Sequence, residues 1–246
     1  MVSGFVCICH GFMSIDGTPT EVQEIMERIK ARSSKAYQYM QIGKEREGRW
    51  NGNYAAGQLR DTVIPIAKYL HPGAELHFIF DRSSNHRARA PGTINVGDLT
   101  LKDGGKRIPM LPTNHVTFNA TNSFDITTYH YQYLDGETKG LPQLLSERGL
   151  YRRGMKLKDC KAVLQEQPDV IYAQVPHIQH ILRGAGCHLI LLPSCHPELN
   201  FIELIWAYMK RKFRDIPPSE RKGLMFRPAV ESILESIRKA FPSAAS

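Results

Sequence analysis

The sequence lacks a long apolar run, a leader-like start and a cysteine framework. None of its apolar stretches approaches the roughly 18 residues that a membrane-spanning helix needs, so we expect no membrane partner. The opening MVSGFVCICHGFM has no basic segment and is interrupted by cysteine and histidine, which argues against a secretory signal peptide. The 5 cysteines are an odd number without regular spacing, as in proteins of a reducing compartment. We therefore expect a nuclear or otherwise intracellular protein that is not secreted.

Acidic residues are also in short supply. The chain of 246 residues carries 24 Asp and Glu against 32 Lys and Arg, which gives a net charge of +8. This balance favours an anionic partner, and nucleic acid before a membrane surface. The apolar content of 42% is enough to fill a real core in one large domain or two small ones.

Short apolar runs alternate with segments of helical periodicity, and we find no internal repeat. The expected strands are Val2–Cys9, Glu75–Asp81 and Cys187–Pro193, the last two buried. The expected helices cover residues 21–31, 58–73 with a kink or late start at Pro65, 175–186, and 200–214 as the last long helix. The alternation predicts an α/β domain that contains parallel strands. Residues 102–133 form a polar stretch with weak β pairing, followed by short helices in LPQLLSERGLY and CKAVLQEQPDV.

Two acids lie where such a sheet usually binds ligands. Asp81 closes one strand, and Glu203 falls in the first turn of the helix that follows another. Strand C-termini and the helix starts beyond them line the ligand crevice of α/β sheets. Two carboxylates in a basic cleft suit Mg²⁺, which binds a few protein oxygens together with water and phosphate. Two such ions can clamp the attacking and leaving oxygens of a phosphodiester.

A purely structural interpretation of these residues stands beside the catalytic one. Asn200 and Glu203 have the spacing of a helix capping box, and Asp81 fits a turn in DRSSN. Two basic clusters flank the acids, and both can equally be solvated surfaces. They comprise Arg82, Arg87 and Arg89, and Lys210, Arg211, Lys212 and Arg214.

Cysteine and histidine residues raise a separate hypothesis, a zinc-binding or structural interaction domain. The candidate ligands are Cys7, Cys9, His10, Cys195 and His196. However, the C-x-C-H pattern of residues 7–10 lacks the usual spacing of two to four residues between paired cysteine ligands. Each of these residues, like His86 and His188, can instead be an ordinary surface or core residue.

Two longer motifs carry a family resemblance. LILLPSCHPELNFIELIWAYMKRKF resembles the motif that closes the catalytic domain of mariner-type transposases, and FIFDRSSNHRARAP resembles its companion around the second catalytic Asp. LKDGGKRIPM and KGLPQLLSERGLYRRGMKL resemble a fungal-type branch of these DDE superfamily endonucleases, which carries a long insert between the second and third acids. The resemblance covers nearly the whole chain.

The resemblance implies a ribonuclease H-like mixed sheet with flanking helices, in which three acids hold two Mg²⁺ or Mn²⁺ ions. It implies DNA hydrolysis and strand transfer at transposon ends, with DNA as the partner and a homodimer as one open assembly. By the same resemblance Asp81 matches the second acid and Glu203 the third, while Glu198 is a neighbouring turn residue. The supporting positions are Asn85, His86, Asn200 and the basic face from Lys210 to Arg214.

One departure from the family pattern changes the expected activity. The family's first acid lies on a strand that precedes the one VSGFVCIC resembles, and Asp16, in the turn SIDGTP, does not match its position. We therefore expect residues 1–246 to be a partial, N-terminally truncated DDE domain with an insertion at about 102–165, inactive as it stands. A nucleic-acid-binding protein that has lost the chemistry is the alternative within this class.

Overall fold

The computed structural model describes residues 1–41, 48–105, 109–118 and 123–240. Two compact units make up the chain, one formed by Met1–Ala88 with His177–Ser246 and the other by Arg89–Pro176. The insertion expected at about 102–165 falls within the second unit. Residues 106–108 of the LKDGGKRIPM motif lie outside the described part of the chain.

The chain is a mixed α/β protein with small sheets. The strands are β1 (Val2–Gly4), β2 (Val6–Cys7), β3 (Gly11–Phe12), β4 (Tyr37–Tyr39), β5 (His77–Phe80), β6 (Thr113–Phe118), β7 (Phe124–Tyr129) and β8 (His188–Leu191). The α-helices are α1 (Pro19–Ile29), α2 (Gly52–Gln58), α3 (Ile64–Leu70), α4 (Leu141–Ser146), α5 (Leu157–Gln165), α6 (Pro168–Ala173), α7 (His177–Gly184), α8 (Phe201–Asp215) and α9 (Phe226–Ala240). Over the described ranges, no helix has the length and apolar content to cross a membrane.

The expected strand Val2–Cys9 is divided into two short strands with different neighbours. β1 pairs antiparallel with β4, and β2 pairs antiparallel with β3. Between them, the backbone N–H of Phe5 donates to the carbonyl oxygen of Ala36 at 3.2 Å. The ladder therefore changes partner at Phe5, and among the described strands neither half pairs with β5 or β8.

The parallel pairing that the alternation predicts is present between β5 and β8. Their register pairs His77 with His188 at one end and Phe80 with Leu191 at the other. The expectation that both strands are buried is only half right. Side chains alternate between the two faces of a strand, so Phe80 is buried whereas Ile79, next to it on β5, is 55% exposed.

A single helical rod over residues 52–70 replaces the expected helix of residues 58–73. It begins six residues earlier than expected, and a π-helical turn over Leu59–Val63 joins α2 to α3 directly before Pro65. Proline has no N–H and its ring clashes with the carbonyl four residues earlier, which here belongs to Asp61. That carbonyl accepts the backbone N–H of Arg32 at 2.7 Å instead. The wider turn thus absorbs the expected kink.

The C-terminal part of the first unit contains one helix more than expected. α8 ends at Asp215, ahead of Pro217 and Pro218 as predicted, but α9 follows it and was not expected. The two helices share a core with the N-terminal hairpin. Its buried members are Phe12, Ile205, Met209, Val230, Ile233, Leu234 and Ile237.

The second unit is an antiparallel hairpin packed with three short helices. β6 and β7 pair along six residues each, and α4, α5 and α6 fall in the segments where short helices were expected. Within this unit the side chains of Arg148 and Asp169 are only 3% and 0% exposed, and they form an ion pair of 3.0 Å. The hydroxyl of Thr113 donates a further hydrogen bond to the same carboxylate oxygen.

Candidate functional site

The parallel pair brings Asp81 and the start of the connection that leads to Glu203 to one edge of a sheet. Asp81 directly follows β5, and Leu192 directly follows β8, where its backbone N–H donates to the carbonyl oxygen of Phe80 at 2.8 Å. Because parallel strands end at the same edge, the connection that leads to α8 starts beside Asp81. Glu203 lies eleven residues after Leu192, in the first turn of α8.

Asp81 is held by its own loop. Its Oδ1 accepts the backbone N–H of Ser83 at 3.0 Å and lies 2.6 Å from Nδ1 of His86. Partial burial raises the pKa of Asp81, but the Ser83 amide and the neighbouring His86 more than offset this, so its pKa lies below the ordinary value. The carboxylate is therefore ionised at neutral pH. The Ser83 contact also makes Asp81 the turn residue that its sequence suggested.

Glu203 occupies the position of a capping residue without forming the cap. Asn200 is the N-cap of α8 and Glu203 the third helical residue, but the side chain of Asn200 makes no capping hydrogen bond. In α1, by contrast, Thr18 and Glu21 form a complete capping box. The half-buried Glu203 carboxylate has no hydrogen bond or ion pair with any residue that the structure describes. The capping interpretation of Glu203 is therefore wrong.

The basic residues of α8 are exposed. Arg211 and Lys212 lie over the ring of Tyr208, each 5.6 Å from its centroid. Neither these two nor Lys210 and Arg214 form an ion pair within the described ranges. Lys210 follows Glu203 by seven residues and Arg214 follows by eleven, close to two and three helical turns, so all three lie along one face.

The residues after β5 contribute differently. Arg82 and Arg87 are exposed. The backbone carbonyl of Asn85 accepts the N–H of Ala88 at 3.3 Å, so its main chain closes a turn. Arg89 is exposed too, but it belongs to the second compact unit.

The expected cysteine and histidine ligands are only partly brought together. Cys7 and His10 lie next to His71, which sequence reasoning missed, and their ligand atoms are all within 4.8 Å of one another. Cys195 and His196 do not belong to this group, and His196 instead contacts Glu198 at 2.7 Å. In the part of the chain described, this is the sole group of three such ligands, so Asp81, His86 and Glu203 do not form another.

Burial shapes the protonation of this second cluster. It raises the pKa of the Cys7 thiol and lowers the pKa of His10, to which the nearby His71 also contributes. The negative charge of Asp16 raises the pKa of His10 in part, so the Asp16 carboxylate lies near this cluster.

No family model matches the chain, and neither the curated proteins nor the solved structures contain a match.

Proposed function

We propose that this chain is a DDE-type endonuclease domain of the kind it resembles, in which Asp81 and Glu203 hold Mg²⁺ or Mn²⁺ against a DNA phosphate. The observation that carries the proposal is the parallel pairing of β5 with β8. It supports the proposal because Asp81 and the connection that leads to Glu203 both start at the same edge of the sheet. A ribonuclease H-like fold, with these two strands in its mixed sheet, is the fold that we propose with it.

The side chains fit a hard divalent cation. Both acids supply carboxylate oxygens, which Mg²⁺ prefers. The lowered pKa of Asp81 keeps it ionised, and both hydrogen bonds described above end on its Oδ1. His86 acts as a positioning residue, because it fixes the orientation of that carboxylate. When bound, the ion neutralises charge that develops on the phosphate. We predict that the two carboxylates lie within about 8 Å of each other, given metal–oxygen bonds of about 2 Å.

The basic face of α8 supports DNA as the substrate. Lys210 and Arg214 follow Glu203 along the same face, so a phosphate near that carboxylate lies within the field of both cations. None of the three has an ion-pair partner among the described residues, and the cations are therefore available to phosphate oxygens. Phosphate contacts position a nucleic acid without reading its sequence.

DNA binding without cleavage is a second candidate. One observation favours it: within the described ranges, neither Asp81 nor Glu203 belongs to a group of three side chains that could hold a metal ion. A metal pair held by two carboxylates would bind weakly, whereas the basic face of α8 needs no metal to bind DNA. Measurements of metal binding and of cleavage separate the two candidates.

Metal binding is measured with Mn²⁺ by electron paramagnetic resonance, on the full chain and on two variants, Asp81→Asn and Glu203→Gln. Glu198→Gln is the matched control, because this exposed acid contacts His196 and lies just before α8. Both test variants should lose Mn²⁺ binding, and the control should retain it. Equal binding by all four proteins would refute the metal site. Nicking of supercoiled DNA that depends on Mg²⁺ and on both acids selects the endonuclease, and its absence selects DNA binding alone.

DNA binding is measured as the dependence of affinity on salt. Each phosphate contact contributes about 0.9 to the slope of log affinity against log salt concentration. Replacing Lys210 and Arg214 with alanine should therefore reduce the slope by up to about 1.8. The matched control replaces Arg28 and Lys30, two exposed cations at the end of α1, and removes the same charge. An equal effect of both pairs would mean that only net charge matters and that α8 is not the contact face.

A further inference from the structure

A cluster of soft ligands lies apart from the two acids, within the first compact unit. Sγ of Cys7 is 3.4 Å from Nδ1 of His10, and the rings of His10 and His71 are 5.0 Å apart between centroids. One ligand atom from each of the three residues lies within 4.8 Å of the other two. All three side chains are partly exposed, so an ion can reach them.

Local structure explains how two of the ligands meet. Cys7 ends β2 and is paired with Gly11 in the register of the β2–β3 hairpin. Gly11 has a φ of 60°, which favours glycine, and it lets the chain reverse within the three residues that separate it from Cys7. His10 therefore folds back onto the sulfur of Cys7.

The third ligand comes from a different element. His71 is the C-cap of α3, and its backbone N–H donates to the carbonyl of Ala67 at 3.0 Å. Pro72 cannot continue the helix, and Gly73, with a φ of 77°, turns the chain away. The end of α3 is thus fixed, and with it the position of the His71 ring beside His10.

The separation of Cys7 and His10 is close to that of two ligands on one zinc ion. With Zn–S of about 2.3 Å and Zn–N of about 2.05 Å at a tetrahedral angle, sulfur and nitrogen ligands lie about 3.6 Å apart. The contact between Cys7 and His10 measures 3.4 Å. The ligand atom of His71 lies within 4.8 Å of both, so it needs a side-chain rotation to come as close to them as they are to each other.

We propose that Cys7, His10 and His71 bind one Zn²⁺ ion, with water as the fourth ligand. One sulfur and two imidazole nitrogens are ligands that zinc accepts and that Mg²⁺ does not favour. The ion would tie the β2–β3 hairpin, which has only two register pairs, to the end of α3. This site is independent of the acids proposed to act on DNA.

The test uses the full chain, with Zn²⁺ titrated in competition with a chromophoric chelator and Co²⁺ as a spectroscopic probe. We expect one ion per chain and a thiolate-to-cobalt charge-transfer band. Removing the hydrogen-bond partner of a metal ligand usually lowers metal affinity by about 10- to 100-fold. Removing a ligand itself should cost at least as much, so Cys7→Ser and His71→Ala should each lower the Zn²⁺ affinity at least about tenfold. Cys195→Ser is the matched control, because it is an exposed cysteine followed by a histidine. It should leave both the affinity and the band unchanged.

Three results would overturn the zinc site. The first is a wild-type chain that takes up no Zn²⁺ and gives no charge-transfer band, a result that requires no variant to fold. The second is a Zn²⁺ affinity that is unchanged in His71→Ala but reduced in both Cys7→Ser and Cys9→Ser. The ion would then be bound by the two thiols of the turn and not by His71. The third is loss in Cys195→Ser alone. If the folded chain binds Zn²⁺ at this site, free Zn²⁺ at 100 times its Kd should raise the ratio of folded to unfolded chain by about 100-fold.

Discussion

The two N-caps of this protein should respond very differently to the same substitution. Thr18 accepts the backbone N–H of Glu21 in a complete capping box, whereas the side chain of Asn200 makes no capping hydrogen bond. Removing an N-cap side chain that bonds the helix typically costs about 1 kcal/mol, with a range of about 0.5–2 kcal/mol. We therefore expect Thr18→Ala to lower the free energy of unfolding by about 1 kcal/mol. Asn200→Ala should lower it by no more than about 0.3 kcal/mol, since no such bond is lost.

The assay is urea unfolding, followed by tryptophan fluorescence and by circular dichroism. Trp206 lies on α8 with its ring 5.7 Å from that of Phe12, so its fluorescence reports on the core that α8 shares with the N-terminal hairpin. Variants are compared when the free energy of unfolding falls with urea concentration at the same slope. A change in the midpoint is then a change in stability.

One outcome would refute the reasoning about Glu203. If Asn200→Ala costs as much as Thr18→Ala, the side chain of Asn200 caps α8 and Glu203 has the spacing to complete the box. The carboxylate of Glu203 would then bond the start of the helix and would not be available to a metal ion. A small cost leaves it available, and the Mn²⁺ measurement then decides whether it binds metal.

Two further predictions concern charged pairs. Asp169→Ala should destabilise the second unit by about 3–5 kcal/mol, because it leaves the buried guanidinium of Arg148 without its partner; a loss in urea unfolding below about 1 kcal/mol would show that Arg148 reaches water instead. At the candidate site, the lowered pKa of Asp81 means that its contribution to stability is present above its ordinary pKa and is lost as pH falls through the lowered value. His86→Ala should raise the pKa of Asp81 and shift the acid limb of the stability curve to higher pH. Because the pair is partly exposed, the free energy of unfolding at neutral pH should fall by less than about 1 kcal/mol. An unchanged acid limb would contradict the contact.

Several elements were predictable because their signals are local. Pro72 and Gly73 ended α3, and Pro217 and Pro218 stopped the helix before them. Strand β8 follows from an apolar run between two turns. The α9 helix also carries such a signal, with apolar residues at helical spacing, and was missed although the pattern is in the sequence. Its buried members are Val230, Ile233, Leu234 and Ile237.

Other features depend on contacts that no local pattern contains. His71 follows His10 by 61 positions, and the contact between them depends on where α3 ends beside the hairpin. The division of the first strand at Phe5 depends on a backbone hydrogen bond to Ala36, which lies in another segment of the chain. At the π-helical turn before Pro65, the carbonyl of Asp61 similarly accepts a hydrogen bond from Arg32, which lies in another segment of the chain. A single sequence does not encode these partners in any spacing.

The candidate acid site combines both kinds of information. Sequence alone places Asp81 at a strand end and Glu203 at a helix start, but it leaves the pairing of the two strands open. The observed pairing is short, with four register pairs between β5 and β8. A slip by one residue would move the side chains of a whole strand to the opposite face, and the buried Phe80 would lose its place in the core. The register that preserves this core is therefore also the one that brings the segment leading to Glu203 beside Asp81, so packing and the proposed chemistry depend on the same four residue pairs.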